Sequence, residues 1–247
     1  MKRFNFQSIV TIMLFVIGLS AFAETKKINV LWVIDNGDSM ADQRQLIKDN
    51  IGAFLSTLKG MQYRMAVTTT DYISQAGALV QNSKGLTSVT SENDNPSGDF
   101  SSLVDAVQLS PTSFWEQGLA SAFAAVKNNV DMFQQTNVPL MIIVVSDDDD
   151  WSCKANCFGI EPENNATYTP EPVVTYIEYF RSLKKSRGVE VSVFPLVGYI
   201  ETACIVGHRG TRYLEVQESV GNGIRGAICK DSFAKDLLSV ATQIATH

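Results

Sequence analysis

The run INVLWVI, residues 28–34, is apolar at all but one position, rich in β-branched residues, and broken off abruptly by DNGDS at 35–39. A half-buried strand alternates apolar and polar residues; one that does not alternate is covered on both faces, as strands of a parallel sheet are. PLMIIVV at 139–145 has the same character and stops at SDDDD, and Tyr63–Thr70 and Val189–Val197 read as further strands. Between them lie apolar residues at helical spacing: Ile47, Ile51, Phe54, Leu55 and Leu58, closed by Gly60; Leu119, Phe123, Val126, Val130 and Phe133; Val173, Val174, Ile177, Phe180 and Leu183; and Phe233, Leu237, Val240, Ala241 and Ile244. Ser113-Phe114-Trp115-Glu116 fits a capping box at the start of the second of these helices. Phe100, Leu103, Val104 and Val107 form a short amphipathic turn, and Ala78–Val80 and Leu86–Val89 flank Asn82-Ser83-Lys84-Gly85 as an edge hairpin. Strand and helix in alternation predict a doubly wound α/β fold: a mostly parallel sheet flanked by helices, with one antiparallel edge hairpin.

The ends of the chain bound what it can be. Lys2 and Arg3, the apolar stretch Ile9–Leu19 and Ala21-Phe22-Ala23 read as a signal peptide over 1–23, too short to span a bilayer, which leaves 24–247 as a single exported domain. No later segment is apolar enough to cross a membrane. Without Lys2 and Arg3 the chain carries 18 basic against 26 acidic residues, a balance that argues against nucleic acid as a partner. Cys153, Cys157, Cys204 and Cys229 all follow the signal, an even number in an exported chain, and suggest two disulfides, with Cys153–Cys157 and Cys204–Cys229 the favoured pairing. Neither spacing is that of a zinc site, and His208 stands alone in a Gly-rich turn.

In a doubly wound sheet, ligands bind in the crevice beyond the carboxyl ends of the strands. Asp35 follows the first strand, Thr68-Thr69-Thr70-Asp71 the second, and Ser146 with Asp147–Asp150 the third, so three segments converge on one rim. Carboxylates gathered together repel unless some are protonated or a cation neutralises them. Oxygen donors without nitrogen or sulfur imply a hard ion: Mg2+ first, with Ca2+ or Mn2+ as alternatives. Asp35 and Asp147 are the candidate ligands; Asp149 and Asp150 read as a solvated acidic loop.

These residues carry a family resemblance. IDNGDSM resembles the first motif, DxSxS, of the metal-ion-dependent adhesion site of von Willebrand factor A domains, and SPTS before WEQGLASAF, then IIVVSDDDD, follow in the family's order, the resemblance covering the whole mature chain; DNGDSMADQ, YRMAVTTTD, EQGL and VSDDDDWSC also look like a group of exported bacterial A-domain proteins. Carried over residue by residue, the resemblance implies metal ligation by Asp35, Ser39 and Asp147, with Thr112 or Ser113 at the motif's threonine position. Gly37 stands where the motif has its first serine, so one hydroxyl ligand is lost. Asp38 fills a variable position where small residues are usual, and its carboxylate can turn toward the ion or toward solvent.

In such domains the ion keeps an open position that a partner's carboxylate completes. The implied function is therefore non-enzymatic, metal-assisted binding of a protein that supplies an acidic residue, or of a glycan, at the periplasm, the cell surface or after secretion. Trp115, Trp151, Phe158 and Tyr199 are candidates for the contact surface. Two other readings compete. IDNGDS, AVTTTD and IIVVSDDDD also resemble the motifs of Mg2+-dependent haloacid dehalogenase-like phosphatases, with Asp35 as nucleophile, Thr68 or a neighbour on the phosphate and Asp147 and Asp148 on the ion; Gly37 there replaces the general acid, and a long helix runs straight from the first motif where those enzymes usually insert a flap. Alternatively, the loss at Gly37 marks an A domain without metal, serving as a structural part of the envelope.

Overall fold

The computed structural model describes residues 25–109, 115–154, 168–199 and 207–246. The signal peptide expected at 1–23 lies outside them, and among the described residues no helix is long and apolar enough to cross a membrane.

The strands are β1 (Lys27–Ile34), β2 (Gln62–Thr69), β3 (Val89–Thr90), β4 (Leu140–Val145), β5 (Val191–Val197) and β6 (Gly226–Ala227), and they form one sheet in the order β3-β2-β1-β4-β5-β6. All pairings are parallel except β2 with β3. Side chains leave β1 and β4 alternately to two separate cores, which explains why neither strand alternates in hydropathy. Val30, Trp32, Ile34, Met141, Ile143 and Val145 pack toward α1 (Ala41–Thr57), α3 (Pro96–Asp105) and α8 (Lys230–Thr246). Leu31, Val33, Leu140, Ile142 and Val144 pack toward α4 (Gly118–Asn128), α6 (Val173–Arg187) and α7 (Thr211–Val220). Trp32 anchors the first core, fully buried with its ring 5.3 Å from Phe54 and 5.2 Å from Phe100; truncating such a side chain to alanine costs about 3–5 kcal/mol.

Several expectations are revised. The antiparallel edge is present, but its ladder joins β3 to β2 at Arg64–Thr90 and Met65–Val89. Ala78–Val80 lies against β2 instead of against 86–89: the Val80 N–H donates to the Val67 carbonyl at 2.8 Å, and the Thr68 hydroxyl donates to the Ala78 carbonyl at 2.9 Å. The helix expected through Phe133 divides at Asn129 into α4 and α5 (Val130–Phe133). The capping box is not used, because α4 begins at Gly118 and leaves Glu116 ahead of it; Ser113 lies outside the described residues. The first free N–H groups of α4 are met from a distance, Leu119 by Asp150 Oδ1 at 2.8 Å and Ala120 by Ser152 Oγ at 3.0 Å. A short helix, α2 (Tyr72–Gln75), follows β2.

The order 3-2-1-4-5-6 reverses direction between β1 and β4. That is the topological switch point, where the loops leaving the two strands separate and open a crevice. Asp35 follows β1 directly and Asp147 comes two residues after β4.

Candidate functional site

The β1–β4 ladder runs as far as the first aspartate, whose N–H still donates to the Val145 carbonyl at 2.9 Å. Asp35 is fully buried, and both carboxylate oxygens are held: Oδ1 accepts from the Gly37 N–H at 2.8 Å and Oδ2 from the Ser146 hydroxyl at 2.7 Å. The Ser146 oxygen in turn accepts from the Asp148 N–H at 3.2 Å. The Ser39 hydroxyl stands near the Asp147 carboxylate and opposes the rise that burial causes in it, so the same two loops approach each other a second time. Arg44, on the second turn of α1, holds the first loop from beneath, its Nη1 donating to the Asp35 carbonyl at 3.2 Å and the Gly37 carbonyl at 2.9 Å. Gly37 itself leads into a short 3-10 turn, Asp38–Met40, that continues into α1.

Of the residues singled out in the sequence, Asp35, Ser39 and Asp147 are thus brought together. Asp38 is exposed on the outer side of the 3-10 turn. Thr112 and Ser113 lie outside the described residues.

A further carboxylate stands where the sequence suggested a helix cap. Glu116 is only 7% exposed, and its Oε2 has no hydrogen-bond partner. Its backbone is fixed on both sides, the Gln117 N–H donating to the Thr70 carbonyl at 2.8 Å and the Trp151 N–H to the Glu116 carbonyl at 2.6 Å. The stretch EQGL was conspicuous in the sequence, but a glutamate shortly before an apolar helix reads equally as a capping residue.

Burial governs the electrostatics. It pushes the Asp35 carboxyl well above the usual range against the pull of the Gly37 and Ser146 hydrogen bonds, and the Asp147 and Asp148 charges push the same way. Burial raises Glu116 too, reinforced by the charges of Asp35 and Asp148. Asp147 is raised by burial and partly relieved by the Ser39 hydroxyl. Arg44 spends its hydrogen bonds on backbone carbonyls and lends these carboxylates only its field.

The expected solvated loop at Asp149 and Asp150 is not what forms. Asp150 is fully buried, accepts from the Leu119 N–H, the Ser152 hydroxyl at 2.7 Å and Arg212 Nε at 3.1 Å, and so joins α4 to α7. Asp149 accepts from the Arg212 N–H at 3.0 Å, and burial raises its carboxyl to about 6. Nor does His208 stand alone: its Nδ1 lies 2.7 Å from Asp148 Oδ1, and its ring packs edge-on against Trp151, the centroids 5.1 Å apart. Trp115, Trp151 and Tyr168 continue this half-buried aromatic patch along the rim. Tyr199 lies elsewhere, under Arg225, and Phe158 is outside the described residues. Cys153 and Cys229 are each in a disulfide; Cys157 and Cys204, the partners expected for them, lie outside the described residues.

Among the described residues no three His, Cys, Asp or Glu side chains stand close enough together to chelate one ion. What the rim does offer is a mixed set of two carboxylates and a hydroxyl. A Cβ built on Gly37 would lie 3.2 Å from Asp35 Oδ1, 3.6 Å from Glu116 Oε1 and 3.6 Å from Ser39 Oγ. Such a donor set, all oxygen and partly desolvated, suits a hard divalent cation.

No protein-family model matches the chain, and no curated protein matches it. Solved structures do. The pilus adhesin SpaC from Lactobacillus rhamnosus GG, in its open conformation, superposes with a TM-score of 0.53 at 11% identity, over 90% of this chain and 30% of the adhesin. A second form of SpaC gives 0.53 at 12% identity, over 90% and 31%. The conserved hypothetical protein BatB from Bacteroides thetaiotaomicron gives 0.48 at 13% identity, over 89% of this chain and 98% of BatB. At these identities the likeness is one of fold, and the chain spans about 30% of the adhesin's length.

Proposed function

We propose that the chain is a non-enzymatic, divalent-metal-assisted binding domain that acts outside the cytoplasm, taking a protein or a glycan at the crevice between β1 and β4. The observation that carries this reading is the joining of two rim loops at the switch point, Asp35 to the Ser146 hydroxyl with Ser39 standing near Asp147, around a space bordered by oxygen atoms. Asp35 and Ser39 would hold Mg2+, or Ca2+ or Mn2+, directly and Asp147 through a water, since Mg2+ keeps several of its waters; Thr112 or Ser113, outside the described residues, would supply the motif's remaining hydroxyl. When bound, such an ion would supply positive charge to attract an oxygen of the partner. The chain's own residues shape the rim: Arg44 fixes the loop backbone, Ser146 aims the Asp35 carboxylate, and Trp115 and Trp151 pack edge-on as a contact surface. That the fold is shared with a pilus adhesin supports the choice of binding over turnover.

Export through the segment 1–23 and disulfides Cys153–Cys157 and Cys204–Cys229 belong to the same proposal. Against the phosphatase reading stand Gly37, in the place of the general acid, and α1, which follows the first motif almost directly; Thr68 also spends its buried hydroxyl on the Ala78 carbonyl, which leaves only a neighbour such as Thr70 for a phosphate. The reading in which the domain has lost its metal rests on Gly37. Calorimetry of the mature chain with Mg2+, Ca2+ and Mn2+, paired with a pull-down from envelope extract with and without chelator, tests the proposal. Saturable binding of one ion and chelator-sensitive capture are expected; failure of all three ions to bind leaves the structural role as the better account.

A further inference from the structure

Gly37 removes a hydroxyl from the rim, and the structure puts another oxygen beside the gap. A side chain at position 37 would enter a space bordered by Asp35 Oδ1, Glu116 Oε1 and Ser39 Oγ. Its Cβ alone would already approach Asp35 Oδ1 more closely than most real contacts allow. A long carboxylate from the facing loop, Glu116, reaches the edge of this space, its Oε1 3.6 Å from where that Cβ would lie.

Glu116 has no other evident task. It caps no helix, since α4 starts two residues later without a side-chain cap. Among the described residues its Oε2 meets no donor, although the residue is more than nine-tenths buried. A buried carboxylate oxygen with nothing to accept from is expensive, and a leucine or glutamine would fill the same volume at less cost. Asp35, by contrast, has both oxygens satisfied.

We propose that Glu116 is a direct ligand of the rim cation, replacing from the α4 side the hydroxyl that Gly37 removes from the β1 side. The inference rests on the cation site proposed above. It makes Glu116 and position 37 a compensating pair: a hydroxyl at 37 and a carboxylate at 116 serve one ligand position.

The test is calorimetric titration of Mg2+, Ca2+ and Mn2+ into the mature chain and into the variants Glu116→Gln, Asp35→Asn, and Glu116→Gln combined with Gly37→Ser. Thermal melts in chelator establish that each variant folds. Glu116→Gln is expected to weaken the tightest-binding ion at least tenfold while melting no lower than the unaltered chain, because it removes a buried charge. Adding Gly37→Ser to it is expected to restore affinity severalfold. If Glu116→Gln changes affinity less than threefold while Asp35→Asn abolishes binding, the cation site stands and Glu116 is not its ligand. If Glu116→Gln weakens binding but Gly37→Ser restores nothing, the compensation between the two positions is wrong. If the unaltered chain binds none of the three ions, the cation site itself fails and the inference with it.

Discussion

Asp150 and Glu116 lie on touching segments, joined through the Trp151 N–H and the Glu116 carbonyl, and both are almost wholly buried. Their surroundings differ sharply. Asp150 is supplied with donors by the chain itself: the α4 N-terminus through Leu119, the Ser152 hydroxyl, and the guanidinium of Arg212. Burial raises its carboxyl, but that guanidinium and the other donors oppose the rise, and the result is a strut between α4 and α7. Glu116 and Asp35 share a desolvated space, and Arg44, beside Asp35, bonds to backbone carbonyls instead of to either carboxylate. One carboxylate on this rim is complete without a ligand, and the other pair lacks a countercharge. A buried charge that the fold does not neutralise is where an external cation has most to contribute.

The comparison breaks most visibly on the complete side. Asp150→Ala removes the cap of α4 and strands Arg212, whose Nη2 otherwise donates to the Glu171 carbonyl and whose guanidinium is largely buried. Removing one partner of a buried pair costs about 3–5 kcal/mol. Urea unfolding should show that loss equally with and without divalent cation; a loss under 1 kcal/mol would mean that the strut is ornamental.

The incomplete side should respond in the opposite direction. Burial raises Asp35 and Glu116 above the usual range, so in the absence of metal the folded chain holds protons that the unfolded chain releases. Stability is then full below the ordinary carboxylate values of 3.8 and 4.5 and falls as pH rises through the raised folded values. In chelator, Glu116→Gln should flatten this slope and stabilise the chain at pH 8 by about 1–3 kcal/mol. A saturating divalent cation should flatten it in the unaltered chain as well. Unfolding series at pH 5, 6, 7 and 8 measure all three, and identical slopes for the variant and the unaltered chain would erase the distinction drawn between Glu116 and Asp150.

How far the sequence revealed these arrangements depends on the kind of signal each leaves. β1 and β4 were plain because a strand buried on both faces writes an unbroken apolar run, and their polar ends marked the rim. α7 left no such mark: only Tyr213 and Val216 of its ten residues are buried, too few for a helical period to stand out. β6 is two residues long and is held by pairing with Leu196 and Val197. Asp147, Asp148, Asp149 and Asp150 are chemically identical in the sequence; what separates them is Arg212, 62 residues on, which selects Asp150, and His208, which selects Asp148. Glu116 was misread for a local reason, since a glutamate near a helix start satisfies a familiar pattern and its true neighbours, Gly37 and Asp35, are distant in sequence.

Arg44 sharpens the comparison at intermediate size. It belongs to the incomplete side but touches it only through backbone carbonyls, so its loss should loosen the loop without uncovering a paired charge. Arg44→Met is expected to cost about 1–2 kcal/mol of stability from two hydrogen bonds to a charged donor. Cation affinity should fall severalfold, because Asp35 and Ser39 are then less well placed. Raised affinity would show that Arg44 repels the ion more than it organises the loop.

The smallest effect belongs to Asp38, the residue that the motif made conspicuous. Its side chain is exposed on the outside of the 3-10 turn, whereas Glu116, which the motif does not mention, is buried against the site. An exposed carboxylate acts on the ion through water and salt, and surface charges of this kind are worth about 0–1 kcal/mol. Asp38→Gly should therefore change cation affinity by less than threefold at low ionic strength and by nothing measurable at 0.5 M salt, where the screening length is only a few ångströms, between ~3 and 8 Å. Any gain in binding of an acidic partner should disappear at that salt concentration too, because it would come from a weaker repulsive field and not from a vacated ligand position. If instead Asp38→Gly costs tenfold in cation affinity and the cost survives high salt, the 3-10 turn rearranges on loading and carries Asp38 inward. The division between an acidic group that faces solvent and one that faces the ion would then run through position 38, not between 38 and 116.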